Sequence, residues 1–325
     1  MEVRVRSWAR LHLGFYNIKS KYVAYGSLGV AVERPNVTVR VFSHNAPEVV
    51  TRACSEVCDV VREVVNKLGR PPARVIIDEF IPRRVGLGST TQLALSVGVG
   101  ISKLLGLRYN VRRLALLLGR GRVSGVGIAV FEKGGFIVDS GRLVEGDRIS
   151  EPKTLDDLPH IIFRSPLPKN WYFVVIVPKG VRGLSEREER EYLDVLADVP
   201  EDIQSELRKL LLNYIIPAVI WRNAEVFGRA VTKLQELVGR YFSKYQGGVF
   251  CCDETEYAVK ALLRSGALGA GQSSWGPAAY GLVEGARKAE SVAEKVAEFM
   301  ERRGYEAKYY LVRAANRGAV VEVRT

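Results

Sequence analysis

Histidine and methionine are scarce in this 325-residue chain, at three and two copies, and cysteine occurs four times. The histidines (His12, His44, His160) are scattered, and neither cysteine pair has Cys-x-x-Cys spacing, which argues against a zinc site. Four cysteines in a chain of this length do not make a disulfide framework. Cys54 and Cys58 lie four apart on one face of a helical segment, and Cys251 and Cys252 are adjacent, so structural thiols are expected. A disulfide joining the two regions is the alternative if the source is a hyperthermophile. No run of about 18 apolar residues occurs, because Arg, Lys, Glu or Gly soon interrupts each one, and a transmembrane helix is not expected. The opening Met-Glu-Val-Arg-Val-Arg alternates like a strand and lacks a signal peptide's apolar core, so the expected location is cytoplasmic. Internal repeats, low-complexity tracts, zinc fingers, RNP-type aromatic motifs and lysine tails are also missing.

What is present is a soluble globular balance, 47% hydrophobic and 26% charged, in a chain long enough for two packed domains. The net charge is +12 and the isoelectric point about 9.6. A field of that sign favours anionic ligands, and both nucleic acid and a multiply phosphorylated small molecule qualify. Much of the charge is single Arg or Lys among Glu on helical stretches, the pattern of a solvated face.

The first third reads β-rich, with period-2 alternation over Glu2 to Phe15 and Leu28 to Phe42. A helix is expected from about Thr51 to Leu68, with Val57, Val60, Val61, Val64 and Val65 along one stripe. A short strand over Arg74 to Phe80, a small-residue helix over Gln92 to Leu105 and a helix over Val111 to Leu118 follow. Strands are expected at Ile128 to Glu132 and Gly135 to Asp139. The Asp- and Pro-rich stretch Val144 to Lys169 marks a boundary between domains 1–155 and 156–325. Beyond it come a buried-type strand, Trp171 to Val177, and helices at Glu186 to Leu196, Ile203 to Trp221, Ala224 to Tyr241 and Glu254 to Ser265. A long helix from about Pro277 to Arg303 and closing strands Ala307 to Val312 and Gly318 to Val323 complete the chain. The class is α+β.

Three glycine-rich loops carry the chemistry. Gly86-Leu87-Gly88-Ser89-Thr90 stands between a strand and a helix. Glycines let backbone N–H groups approach a ligand, and the helix that follows offers unpaired donors and partial positive charge. Ser89, Thr90 and Thr91 add hydroxyls for phosphate oxygens or a magnesium ion. The loop is neither a Walker A sequence nor a GxGxxG fingerprint, and read alone it equally fits a plain helix cap. Ser124-Gly125-Val-Gly127, preceded by Arg120 and Arg122, reads as a second junction between helix and strand. Gly271-Gln-Ser273-Ser274-Trp-Gly276 is a third, expected to open a helix. Together they suit a polyanionic ligand, since charge-assisted contacts contribute about 1.5–3 kcal/mol each.

Pro82-Arg-Arg-Val-Gly86-Leu-Gly88-Ser89 resembles the phosphate-binding motif of the GHMP kinases. Gly86-Leu-Gly-Ser-Thr-Thr-Gln92-Leu, the whole of Leu118 to Asp139, Gly271 to Pro277, Arg10-Leu-His12-Leu and Gly29 to Asn36 are more specifically similar to the archaeal β-ribofuranosylaminobenzene or ribofuranosylphenol 5'-phosphate synthases of that superfamily. The resemblance implies a GHMP-kinase-like two-domain fold, with a ribosomal-S5-like N-terminal domain and a ferredoxin-like C-terminal domain. It implies a reaction in which phosphoribosyl diphosphate and a para-substituted benzoate join through carbon, releasing carbon dioxide and diphosphate. Mg²⁺ would be the cofactor, held at Ser89 and Thr90, with no nucleic-acid or membrane partner and a homodimeric assembly. Gly86 to Gln92 would then bind the diphosphate. Arg120, Ser124, Gly125, Gly127, Gly271, Ser273, Ser274 and Gly276 would bind substrate, and Arg10 and His12 would be catalytic. Lys19, Arg83, Arg84 and Lys179 are further candidates for polar roles, Trp275 could stack on the aromatic acid, and Glu132 and Asp139 read as strand-end residues. Two departures stand out. Many GHMP kinases carry a general-base Asp three residues after the Ser of the second motif, where this chain has Gly127, and Tyr16-Asn17 stands where the synthases often have an acid. An ATP-dependent GHMP-type kinase is the second reading and an RNA-binding module the third.

Overall fold

The computed structural model describes residues 1–184, 186–194 and 198–324. In chain order the elements are β1 (Glu2–Lys19), β2 (Val23–Ser43), β3 (Glu48–Val50), α1 (Cys54–Lys67), β4 (Ala73–Glu79), α2 (Ser89–Leu104), α3 (Val111–Leu117) and α4 (Val126–Glu132). Then come β5 (Phe136–Asp139), β6 (Arg142–Glu145), β7 (Arg148–Ile149), β8 (Ile161–Ser165), β9 (Trp171–Pro178), α5 (Glu186–Leu193) and α6 (Glu201–Lys209). A π-helical turn (Leu210–Ile215) leads through α7 (Ile216–Ile220) to α8 (Ala224–Gln246) and α9 (Asp253–Arg264). The chain ends with β10 (Gly269–Gln272), β11 (Ala279–Glu284), α10 (Ala286–Arg302), β12 (Ala307–Arg313) and β13 (Val320–Arg324). Among the described residues no helix is long and apolar enough to cross a membrane.

The elements form two sheets, the α+β organisation expected. The larger runs β13-β1-β2-β4-β3, with β5 and β6 on the other stretch of β2, so the last strand returns to pair with the first. Helix α2 lies against β1 and β2. Its small residues allow close packing: a Cβ on Gly100 would meet the Val41 side chain at 2.6 Å. The smaller sheet is antiparallel in the order β10-β11-β9-β12. Alternation along β9 divides its faces, as the strand period requires. Val174 and Ile176 pack with Val259, Leu262, Val292 and Val296 of α9 and α10, while Trp171, Phe173 and Val175 join the cluster containing Phe227 and Leu234 of α8.

Strand β1 is bulged between His12 and Gly14, where its register against β2 shifts. On a regular strand, residues three apart face opposite ways. The extra residue at the bulge turns Phe15 to the side of His12, and their rings meet edge to face at 5.1 Å. Gly14 has φ +119°, and a Cβ there would strike Leu234 of α8 at 2.7 Å.

Three sequence expectations are corrected. Ile128 to Glu132 belongs to helix α4, not a strand, because its apolar part, Ile128 to Phe131, is buried throughout and satisfies either period. The expected helix from Pro277 to Arg303 is strand β11 followed by α10, because Ala279 to Glu284 pairs with β9 and β10 and Gly285, at φ 92°, separates the two elements. Cys54 and Cys58 form a disulfide within the first turn and a half of α1; four-residue helical spacing brings their Cα atoms to 4.8 Å, inside disulfide range. Cys251 and Cys252 are free thiols, as expected.

Helix α8 approaches β10 backbone to backbone at one point: a Cβ on Gly269 would lie 2.1 Å from the Gly228 carbonyl oxygen. Gly269→Ala is therefore expected to destabilise the protein by about 1–3 kcal/mol, lowering the thermal midpoint by several degrees. An unchanged midpoint would contradict this packing.

Candidate active site

A cleft of about 610 Å³ opens where α1, α2, β1, α5 and the loops before α2 and α4 converge. Six arginines line it (Arg10, Arg83, Arg84, Arg120, Arg122 and Arg182) against three carboxylates (Glu56, Asp59 and Glu189). Two of those acids are held at the rim: Arg83 bonds Asp59 and Arg182 bonds Glu56. The balance is cationic, and it surrounds the N-terminus of α2. That helix is capped by Gly88 in the left-handed conformation (φ 76°) with no side-chain cap, so the N–H groups of its first turn face the cleft beside the Ser89, Thr90 and Thr91 side chains.

Two segments, β1 and the turn between β10 and β11, clasp the loop that precedes α2. The carbonyl of Gly86 accepts from Arg10 Nη1 at 2.6 Å and from Ser273 Oγ at 2.6 Å. Arg10 N–H donates to the Leu87 carbonyl at 3.1 Å, and Ala278 N–H to that of Val85. Gly86 (φ +83°) is obligatory here: a Cβ would sit 1.9 Å from the Ser273 carbonyl oxygen. Gly276 also abuts Gly86, with a Cβ position 2.1 Å from its nitrogen. The first and third glycine loops thus touch, backbone on backbone. The third loop opens no helix; it turns from β10 to β11 with Ser274 at φ 58°, and Ser274 N–H donates to the His12 carbonyl at 3.3 Å. Ser273 Oγ also accepts from His12 N–H at 3.0 Å.

The second loop is held differently. Asp139, fully buried at the end of β5, accepts from Ser27 Oγ (2.5 Å), Ser27 N–H (3.1 Å), Gly125 N–H (2.7 Å) and Gly141 N–H (2.9 Å). Burial raises its pKa against the pull of those donors. Val126 N–H goes to Ser124 Oγ at 3.2 Å. Two amides of this loop are therefore engaged within the protein, and the loop joins α3 to the short helix α4 instead of a strand. Asp139, read from sequence as a strand-end residue, is what positions it. Nothing in the spacing signals that role, because its partners come from β2 and a loop distant in sequence.

Of the expected site residues, Arg10, His12, Gly86, Gly88, Ser89, Thr90, Thr91, Arg120, Ser124 and Ser274 line the cleft. Leu87, Gln92, Gly125, Gly127, Gly271, Ser273 and Gly276 stand behind it. Gln92 is fully buried and donates to the Gly127 carbonyl at 2.8 Å, while a Cβ on Gly127 would contact Thr91 at 3.2 Å. Lys19 and Lys179 lie away from the cleft, paired with Asp198 and Glu306 at 3.0 Å each. Trp275 is 7% exposed and packs on Phe242 at 4.9 Å, yet one edge reaches the cleft. Phe15 went unrecognised in the sequence because only the β1 bulge brings it into the wall. No cluster of three or more His, Cys, Asp or Glu able to hold a metal exists among the described residues.

The description "GHMP kinases N terminal domain" matches residues 53–135, and "GHMP kinases C terminal" matches 206–302, together more than half of the chain. The chain belongs to the GHMP kinase superfamily. Its likeness to solved members extends nearly end to end. Homoserine kinase from Cytophaga hutchinsonii superposes with a TM-score of 0.68 at 16% identity, covering 99% of this chain and 97% of that one. Phosphomevalonate kinase from Streptococcus pneumoniae gives 0.69 at 12%, covering 96% and 99%. Within the superfamily the sequence is similar to proteins named beta-ribofuranosylphenol 5'-phosphate synthase. That of Methanothermobacter thermautotrophicus is 27% identical over 92% of this chain and 94% of its own length. That of Archaeoglobus fulgidus is 26% identical over 99% and 100%.

His12 is 4% exposed, and burial, with the charge of Arg10 second, holds its pKa well below the ordinary 6.5. An unfolded chain takes up that proton near 6.5 while the folded one does not, so stability is lost as pH falls below that value. Denaturant melts at pH 7.5 and 5.5 are expected to show a larger loss for the wild type than for His12→Gln. Equal losses would contradict a neutral, buried imidazole.

Proposed function

We propose that the cleft transfers ribose 5-phosphate from phosphoribosyl diphosphate to the carboxyl-bearing carbon of 4-hydroxybenzoate or 4-aminobenzoate, releasing carbon dioxide and diphosphate, in methanopterin-type coenzyme biosynthesis. The supporting observation is a cleft with six arginines around the open end of α2, four of them also ion-paired with carboxylates, in a chain that is similar over nearly its whole length to the named synthases. Anomeric C–O cleavage builds negative charge on the leaving diphosphate. Backbone N–H groups at the start of α2 and the surrounding arginines stabilise that charge where it develops. Arg120 and Arg122, across the cleft, suit the 5'-phosphate, and Arg10 suits the benzoate carboxylate. The new C–C bond forms at the anomeric carbon as the diphosphate oxygen departs. The carboxylate then leaves as carbon dioxide, and its bonding electrons restore the aromatic ring.

The donor set fits a magnesium ion carried in with the diphosphate, not one held by a protein cage. Ser89 and Thr90 offer hydroxyls, and the remaining ligands of an octahedral ion would be phosphate oxygens and water. Bound there, the ion would supply charge neutralisation for the leaving group.

Phosphoryl transfer, the second reading, has the fold in its favour. Against it, Gly127 occupies the place of the kinases' general base, packed against Thr91, and a positioned base contributes about 10²–10⁴-fold. Incubation with phosphoribosyl diphosphate, Mg²⁺ and either acid is expected to release carbon dioxide and diphosphate in equal amounts. Arg10→Met should lower kcat/KM by about 10²–10³-fold. Formation of ADP from ATP and a small alcohol, with no carbon dioxide from either acid, would replace this reading with the kinase.

A further inference from the structure

We propose that a small annexe behind His12 is the subsite for the ring edge and para-substituent of the aromatic acid, an inference that rests on the transferase reading. The annexe, of about 40 Å³, adjoins the cleft and shares His12, Phe15, Ser274 and Trp275 with it. Its remaining wall comes mainly from α8, with Val238 and Phe242, and from Val249 in the turn beyond. No charged side chain lines it, whereas six arginines line the cleft next door.

The contrast sorts ligand chemistry. A phosphate pushed into the annexe would be desolvated against Phe15, Phe242 and Trp275 with no cation to compensate. A flat apolar group loses nothing there, and the rings already stand edge to face: Phe242 and Trp275 at 66°, His12 and Phe15 at 67°. The volume admits one substituent and the ring carbons beside it, so the rest of the ligand must project into the cleft. An arene carboxylate then has its anionic end among the arginines, near Arg10, which shares the inward side of β1 with His12. Its carboxyl-bearing carbon, the one that reacts, lies on the cleft side.

The polar groups of the annexe explain what the para position can carry. Three glutamines reach it, and each is committed. Gln235 Nε2 donates to the Leu13 carbonyl and its Oε1 accepts from Gln272 N–H. Gln272 Nε2 donates to the Ser274 carbonyl and to Gln246 Oε1, its own Oε1 accepts from Cys251 N–H, and Gln246 Nε2 donates to the Val249 carbonyl. The His12 imidazole, by contrast, has no hydrogen bond among the described residues although it is 96% buried, being 4% exposed. A neutral imidazole has one bare nitrogen and one N–H, so either a hydroxyl or an amine can donate to it. The annexe therefore accepts both uncharged para groups and rejects an ionised one.

The probe is 4-fluorobenzoate, followed by its ¹⁹F resonance with the full-length protein, phosphoribosyl diphosphate and Mg²⁺. The wild type is expected to broaden the signal, 4-hydroxybenzoate to reverse the effect, and terephthalate, with a charged para group, to fail to reverse it. Val238→Phe and Val249→Phe, each filling the hollow from a different segment, should weaken binding at least about tenfold. Retained phosphoribosyl diphosphate affinity in both variants shows that they are folded. No ¹⁹F response in the wild type, undiminished binding in both folded variants, or equal competition by terephthalate would overturn the proposal. Carbon dioxide release by the wild type is read separately. Release together with undiminished ¹⁹F binding in the variants removes the annexe and keeps the transferase, whereas annexe-dependent binding without release keeps the subsite and removes the transferase.

Discussion

The carbonyl oxygen of Gly86 holds the site together. It accepts from the Arg10 guanidinium, on the first strand, and from the Ser273 hydroxyl, on the turn between β10 and β11. Segments widely separated in sequence are thereby fixed to the loop that opens α2. A charge-assisted hydrogen bond to a partly buried carbonyl contributes about 1.5–3 kcal/mol, enough to hold an otherwise uncapped helix N-terminus at a set angle to the cleft. Gly86 and Gly276 make the arrangement sterically possible, since a side chain on either would collide with backbone. The same guanidinium that anchors the loop lines the cleft, so burial, which draws its pKa down to about 10, leaves it protonated and available to an anion.

From that clasp the electrostatics follow. Beside β1 two spaces adjoin: a cleft of arginines around open backbone donors, and a neutral, aromatic hollow against α8. His12 stands in the wall between them, uncharged because it is buried beside Arg10. The bulge at Leu13 and Gly14 makes this partition, turning Phe15 to the side of His12 and letting α8 approach. The proposed pair of reactants, a phosphorylated sugar and an aromatic acid, would find both environments within one strand's reach.

Much of this was legible in the chain. Alternating Val and Arg in the first residues, the valine stripe of α1 and the glycines before α2 report local periods and special backbone angles, and the structure places them as read. The motif resemblances located the arginine and histidine of β1 and the hydroxyls of α2, all of which line the cleft. What stayed hidden is long-range. Ile128 to Phe131 is buried on every side, so its pattern cannot distinguish a helix from a strand. Ala279 to Glu284 looks helical until its pairing with β9 is known. Asp139 gains its role only because β2 and the loop before α4 supply its donors, and Phe15 reaches the site through a bulge no spacing rule marks. Gln92 and Gly127, expected among the ligand contacts, are joined by a hydrogen bond behind the cleft, a pairing that their spacing in the chain does not signal.

On the reading proposed above, the start of α2 grips the diphosphate of an activated ribose. A crystal structure of the protein with phosphoribosyl diphosphate and Mg²⁺ tests it most directly. Diphosphate oxygens are expected within hydrogen-bonding distance of the first-turn N–H groups of α2, with arginines of the cleft around them. Diphosphate bound elsewhere, with those N–H groups facing only water, would contradict it.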